Sequence, residues 1–151
     1  MIHRLRSALL ISIFAGMLVG CTAERPDQLG VSGGRLRDCP GSPNCVSSQA
    51  GDAAHHIAPL AFTDEPESAF ARLEQILAGR GDTEIIEKRP GYLRVEFHTL
   101  LFVDDGEFLL AGEQGLIQVR SASRIGYSDL GKNRSRLEEI RQQFSERQSG
   151  R

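Results

Sequence analysis

Tyr92 to Thr99 alternates strictly: Leu93, Val95 and Phe97 fall on one side, Tyr92, Arg94, Glu96 and His98 on the other. A period of two is the signature of a strand with one buried face. A sheet built on such a strand needs a second layer over its apolar side. The neighbouring residues supply both. Thr83 to Lys88 reads as a strand, and Pro90-Gly91 as the turn after it. Leu100 to Val103 is apolar, and Asp104-Asp105-Gly106 reads as a turn or bulge before a strand over Glu107 to Ala111. Gly112 to Gly115 is a further turn. Leu116 to Ile125 is the last strand, with Ile117, Val119, Ser121, Ser123 and Ile125 on one face and Gln118, Arg120, Ala122 and Arg124 on the other.

Two amphipathic stretches supply the covering layer. Asp64 to Gly81 places Phe70, Leu73, Ile76 and Leu77 on one helical face. Asp64 and Glu67 have capping-box spacing, Pro66 is tolerated in a first turn, and Gly79 and Gly81 stop the helix. Leu130 to Gln148 carries Leu137, Ile140 and Phe144. Ser135 and Glu138 have capping-box spacing there, so this helix starts as late as Arg136, or near Asn133. His55 to Leu60 reads as a short edge strand. The order strand, helix, four strands, helix predicts an α+β, two-layer domain. Its antiparallel, curved sheet has four to five strands, with both helices on one face. That order resembles the TBP-like and helix-grip folds, whose curved sheets often hold ligands.

The N-terminus reads as a targeting signal over residues 1–20. His3, Arg4 and Arg6 precede an apolar run, Ala8 to Val19, too short to span a bilayer comfortably. Leu18-Val19-Gly20-Cys21 resembles the lipobox of bacterial lipoproteins, which implies cleavage before Cys21 and acylation (palmitate among the chains) of that residue. Thr22 stands where such lipoproteins carry an aspartate for inner-membrane retention, so the expected location is the periplasmic face of the outer membrane. Residues 21–38 read as the lipidated cysteine and a flexible tether, and 39–148 as one globular domain. Residues 1–20 hold two basic side chains and no acid. From 18 basic and 20 acidic residues, the mature chain thus keeps 16 and 20, a net charge of -4. Nothing in that balance draws it to nucleic acid.

Two cysteines remain, Cys39 and Cys45, around Pro40-Gly41-Ser42-Pro43-Asn44. In an oxidising envelope the simplest outcome is a disulfide. A metal or redox site with His55, His56 or His98 is the sharper alternative, but the spacing is not that of zinc knuckles; a pair of reduced thiols is the third. No metal or other cofactor is expected.

Three segments carry a resemblance over nearly the whole mature domain. They are Cys39 to Gln49 (CPGSPNCVSSQ), Phe102-Val103-Asp104-Asp105 with Glu107-Phe108, and Val119 to Gly131 (VRSASRIGYSDLG) with Asn133-Arg134. In that order they resemble the bacterial and chloroplast family defined by the domain of unknown function 1499. Gly106 and Lys132 depart from its pattern, where more apolar residues are expected. The resemblance implies an envelope domain and no particular reaction.

Val119 to Arg136 is the densest polar tract in the chain. Arg120 and Arg124 share a strand face about 13 Å apart, close enough for long side chains to converge. Tyr127 and Asp129 lead to a helix start whose N–H groups favour anions, near Asn133 and Arg134. With Ser121 and Ser123 these residues form the candidate ligand-binding set. The expected ligand is an anionic small molecule, a lipid head group or an envelope protein. The bland reading pairs Asp104, Asp105 and Asp129 with Arg120, Arg124 and Arg134 in a structural network. A third reading makes the chain a small envelope hydrolase or metal-dependent enzyme using Asp104, Asp105 and His98. Adjacent strand residues diverge, which counts against it.

Overall fold

The computed structural model describes residues 23–150. The expected targeting signal over residues 1–20 and Cys21 lie outside the described residues. Among those described, no helix is long and apolar enough to cross a membrane.

The domain is α+β, with an open antiparallel sheet and two helices. In chain order the elements are β1 (Val31–Ser32), β2 (Arg35–Leu36), β3 (Cys45–Ser47), β4 (Leu60–Ala61), α1 (Pro66–Ala78), β5 (Thr83–Arg89), β6 (Tyr92–His98), β7 (Val103–Ala111), β8 (Leu116–Ser123) and α2 (Lys132–Gln148). A short 3-10 turn, Gly112–Gln114, joins β7 to β8. The main sheet runs β3-β8-β7-β6-β5, and β4 also pairs with β8. The meander of four long strands follows the expected order. The predicted edge strand over His55 to Leu60 shrinks to β4 and an isolated bridge between Ser47 and His56.

The alternation places the core. Leu93, Val95 and Phe97 of β6, Phe108 of β7, and Ile117 and Val119 of β8 are fully buried. They pack against Phe70, Leu73, Ile76 and Leu77 of α1 and Leu137, Ile140 and Phe144 of α2. Asp104-Asp105-Gly106 is not a turn. It lies within β7, near its start, paired with Phe97, Glu96 and Val95 of β6. Gly106 belongs there for a steric reason: a Cβ would run into the Phe97 ring and lie 2.8 Å from Val95 Cγ2.

Neither helix uses the predicted capping box. The Asp64 carboxylate takes a bidentate pair from Arg72, at 2.7 and 3.0 Å, and Pro66 opens α1. The second helix starts at Lys132, ahead of Ser135. Its first N–H groups are met by Asp129, which accepts from the amides of Gly131 (3.0 Å) and Asn133 (2.8 Å). Helix ends must find such acceptors outside their own ladder.

The largest departure is the tether. Residues 23–38 do not hang free; they cross the sheet face opposite the helices as a strap. Within it β1 and β2 form a small hairpin, and Leu36 is buried. Hydrophobic content is low here, so periodicity gives no hint of the packing. Polar contacts hold the strap instead.

Candidate functional site

The sheet face under the strap is ionic. Register sets Arg94 of β6 opposite Glu107 of β7, and Glu107 opposite Arg120 of β8. This row of plus, minus, plus crosses three strands and is sealed from water: Arg94 is 8% exposed, Glu107 0% and Arg120 4%. Glu107 accepts from Arg120 Nη1 (3.3 Å), Tyr92 Oη (2.9 Å) and the Gly30 amide of the strap (2.7 Å). Burial, with the Glu107 carboxylate beside it, pushes the Tyr92 phenol well above its ordinary range.

The next row sets two acids side by side, Glu96 opposite Asp105. Like charges in cross-strand pairs repel. Arg124 reaches in from beyond the end of β8 and bridges them. Its Nε and Nη2 donate to Asp105 at 2.8 and 2.9 Å, and Nη2 also donates to Glu96. Those hydrogen bonds hold the Arg124 pKa above its usual value, against the effect of burial. Burial raises the Glu96 pKa, but hydrogen bonds from Arg25 and Arg124 outweigh it and leave the carboxyl below its ordinary range. The strap joins in here: Arg25 Nε donates to Glu96 at 2.5 Å, and Pro26 O accepts from Arg94 at 2.9 Å.

The other sheet face carries a second polar cluster at the start of α2. Asn133 is fully buried and accepts from Ser121 Oγ at 2.5 Å. Its amide nitrogen donates to Asp129 Oδ2 (2.8 Å), Ser123 Oγ (2.9 Å) and the Asn44 carbonyl (3.2 Å). Asp104 faces Arg136, with Nη2 2.9 Å from Oδ2. That contact is off the hydrogen-bond direction and acts through charge.

The polar tract is therefore divided. Arg120 and Arg124 share one face of the sheet as the alternation predicts, while Ser121, Ser123, Asp129 and Asn133 lie on the other. Arg134 donates to the carbonyls of His56 and Ala54, and Tyr127 is 76% exposed. The eight residues do not converge on one ligand, and the α2 start does not meet the strand arginines. The trio of the enzyme reading is not assembled either. Asp104 and Asp105 point to opposite faces, each held by arginine, and His98 stands 3.5 and 3.6 Å from Glu84 and Glu96. Glu84, Glu96 and His98 bring ligand atoms within 4.8 Å of one another, but Arg25 and Arg124 already supply positive charge to Glu96.

Cys39 and Cys45 form a disulfide, with Cα atoms 5.6 Å apart. The bridged loop sits at the end of β8, where Cys45 pairs with Ala122 and Asn44 Nδ2 donates to Gly126 O at 2.6 Å.

These segments coincide with those that carry the resemblance, and the profile of the protein family of unknown function DUF1499 matches residues 35–144. The chain belongs to the DUF1499 family. No curated protein and no solved structure matches it. The DUF1499 match takes in the charge ladder on β6 to β8, the disulfide loop, α1 and α2 as far as Phe144, and begins within the strap.

One hollow opens onto the ladder. It holds about 350 Å³ between the strap, the disulfide loop and β8, and its lining includes Arg37, Asp38, Asp105, Arg120 and Arg124. Arg120 is buried with its Nε unpartnered. Burial lowers its pKa; Glu107 opposes that, and the charge of Arg37 adds to the depression. Arg37 is exposed and has no hydrogen-bond or ion-pair partner among the described residues. Sequence reading does not single it out, because it sits in a stretch that looks like spacer.

Proposed function

We propose that the protein is an envelope lipoprotein, tethered through Cys21 at the periplasmic face of the outer membrane, whose domain binds a small anionic ligand. The lipobox-like Leu18-Val19-Gly20-Cys21 and the Thr22 after it support the tether. The observation that carries the ligand is the hollow at Arg37 and Arg120, where two like charges approach each other and one guanidinium keeps an unused donor. An anion placed there would relieve the repulsion and pair with the exposed Arg37 guanidinium. The remaining arginines hold the fold: Arg94 and Arg124 are taken up by Asp105, Glu96 and the strap.

The test is calorimetric titration of the oxidised mature chain with inorganic phosphate and with simple carboxylates, beside Arg37→Ala. Arg37 is exposed, so its loss leaves the fold intact. Binding is expected to weaken by about 1–2 kcal/mol, on the order of tenfold. Equal affinity in both chains would remove this reading of the hollow. The tether is tested separately, by the mass of the N-terminal peptide and by the distribution of Cys21→Ser between membrane and soluble fractions.

A further inference from the structure

Large apolar side chains are exposed at one end of the molecule. Leu100 is 98% exposed, Leu101 71%, Tyr127 76% and Leu130 96%, with Phe102 and Ile125 partly exposed beside them. Among the described residues the one other large apolar side chain exposed to this degree is Val31, in the strap. The six come from two loops: the β6–β7 connection and the segment between β8 and α2. Both follow the same end of the sheet, because His98 pairs with Val103 and Asp104 with Ser123.

The loops are built, not loose. The Thr99 amide donates to Phe102 O at 2.9 Å and the Phe102 amide to Thr99 Oγ1 at 3.0 Å, closing a tight turn with two leucines at its tip. Leu130 has φ 54, a left-handed conformation uncommon for a leucine. Between the loops lies a hollow of about 570 Å³, lined in part by Phe102, Ile125 and Leu130. Charge is almost absent from the tips. Arg124 is spent on Asp105 and Glu96, and Asp129 on the first amides of α2, which leaves Lys132. Turns between strands favour Gly, Asn and Asp, and a monomer gains nothing by presenting leucines there.

The chain itself indicates what covers this end. The first described residue, Ala23, lies against Arg124, whose Nη1 is 3.5 Å from its carbonyl, and Ile125 is the next residue along. Arg25 is held at Glu96, near the close of β6. The N-terminus therefore leaves the domain at the end that carries the apolar tips. Residue 21 stands two positions further on.

We propose that the 99–102 turn and the 124–131 loop form a membrane-docking face, seating Leu100, Leu101, Tyr127 and Leu130 in the bilayer beside the N-terminal anchor. Apolar tips without free acids, a single lysine and an adjacent point of chain exit fit a phospholipid surface. They fix the orientation of the domain, with the sheet end toward the lipid and the 112–114 turn away from it. The choice of a bilayer as the occupant rests on the anchored reading, since the point of chain exit indicates lipid only if Cys21 carries it.

The chain contains no tryptophan, so a single introduced one reports alone. With Cys39 and Cys45 oxidised, Cys21 is the one free thiol of the mature chain. Coupling that thiol to a maleimide lipid in phosphatidylethanolamine–phosphatidylglycerol vesicles supplies an anchor whatever the cell does. Leu100→Trp is then compared with Glu113→Trp, at the opposite end of the sheet. The expected result is blue-shifted emission and quenching by brominated acyl chains for L100W, and neither for E113W. Adding Leu101→Ser and Leu130→Ser to L100W should lower the docked-to-undocked ratio by roughly tenfold per leucine. Those side chains are exposed, so the fold is not at issue. No quenching of L100W, or equal quenching at both ends, would overturn the docking face. A blue shift that depends on protein density and not on brominated lipid would overturn it in favour of a second copy of the chain. Native protein with an unmodified Cys21 would end the anchored reading and leave the quenching result to stand by itself.

Discussion

Glu107 shows most directly what single side chains do in this domain. It lies on a β-strand at zero exposure, between two buried arginines, and accepts hydrogen bonds from a phenol, a guanidinium and a strap amide. A buried charge without its partner costs far more than the pair contributes. Glu107→Ala should therefore destabilise the domain by about 3–5 kcal/mol, read as a fall in the urea midpoint. Glu107→Gln keeps an acceptor for Tyr92 and Gly30 and should lose less. On the other side of the same strand, Gly106→Ala places a methyl against Val95 and Phe97, an overpacking expected to cost about 1–3 kcal/mol. Glu96 gives the pH dependence. Its folded pKa lies below the unfolded value of about 4.3. Its stabilisation is therefore fully present above that value and is lost as pH falls through the lower folded one. Acid denaturation of Glu96→Gln should show a shallower loss of stability below about pH 4 than the parent chain.

At the scale of elements, the strap depends on that same carboxylate, since Arg25 is bound to it. A chain that begins at residue 39 loses Arg25, Gly30 and Leu36 and uncovers the ladder. It should unfold at lower urea than a chain that begins at residue 21, and amides of β6 and β7 should exchange faster in it. The helices, the four-strand meander and the shared face of Arg120 and Arg124 are legible in the sequence, because period and turn residues report them directly. The continuity of β7 is not. Asp-Asp-Gly carries turn chemistry, and only the register shows that a cross-strand phenylalanine excludes a Cβ at Gly106 and that Arg124 and Arg136 receive the two acids. The strap is hidden for a similar reason. It docks through backbone groups and one arginine onto charges far along the chain, and such contacts leave no local period. The α2 start falls next to Asn133, one of the two expected places, but the capping boxes are misread: Asp64 is taken up by Arg72, and Asp129 rather than Ser135 meets the first amides of α2.

For the whole molecule, the core between sheet and helices sets most of the stability, and the disulfide closes only a short loop. Reduction should leave the domain folded and lower its stability by about 2 kcal/mol. The two polar clusters divide the work differently from the single cradle that the polar tract suggests. The Asn133 cluster ties α2 to β8 and the disulfide loop, while the ladder binds the strap and borders the hollow at Arg37.

The folded strap also shortens the leash. Residues 22–38, if extended, would let the body roam about 60 Å from an acylated Cys21. With Ala23 lying against Arg124, the reach left between the domain and a tether at Cys21 falls to about 7 Å. If Cys21 carries the proposed lipid, a body held that way has little reach away from the membrane surface. Under that tether, whatever it meets must come to it, at the level of the lipid head groups.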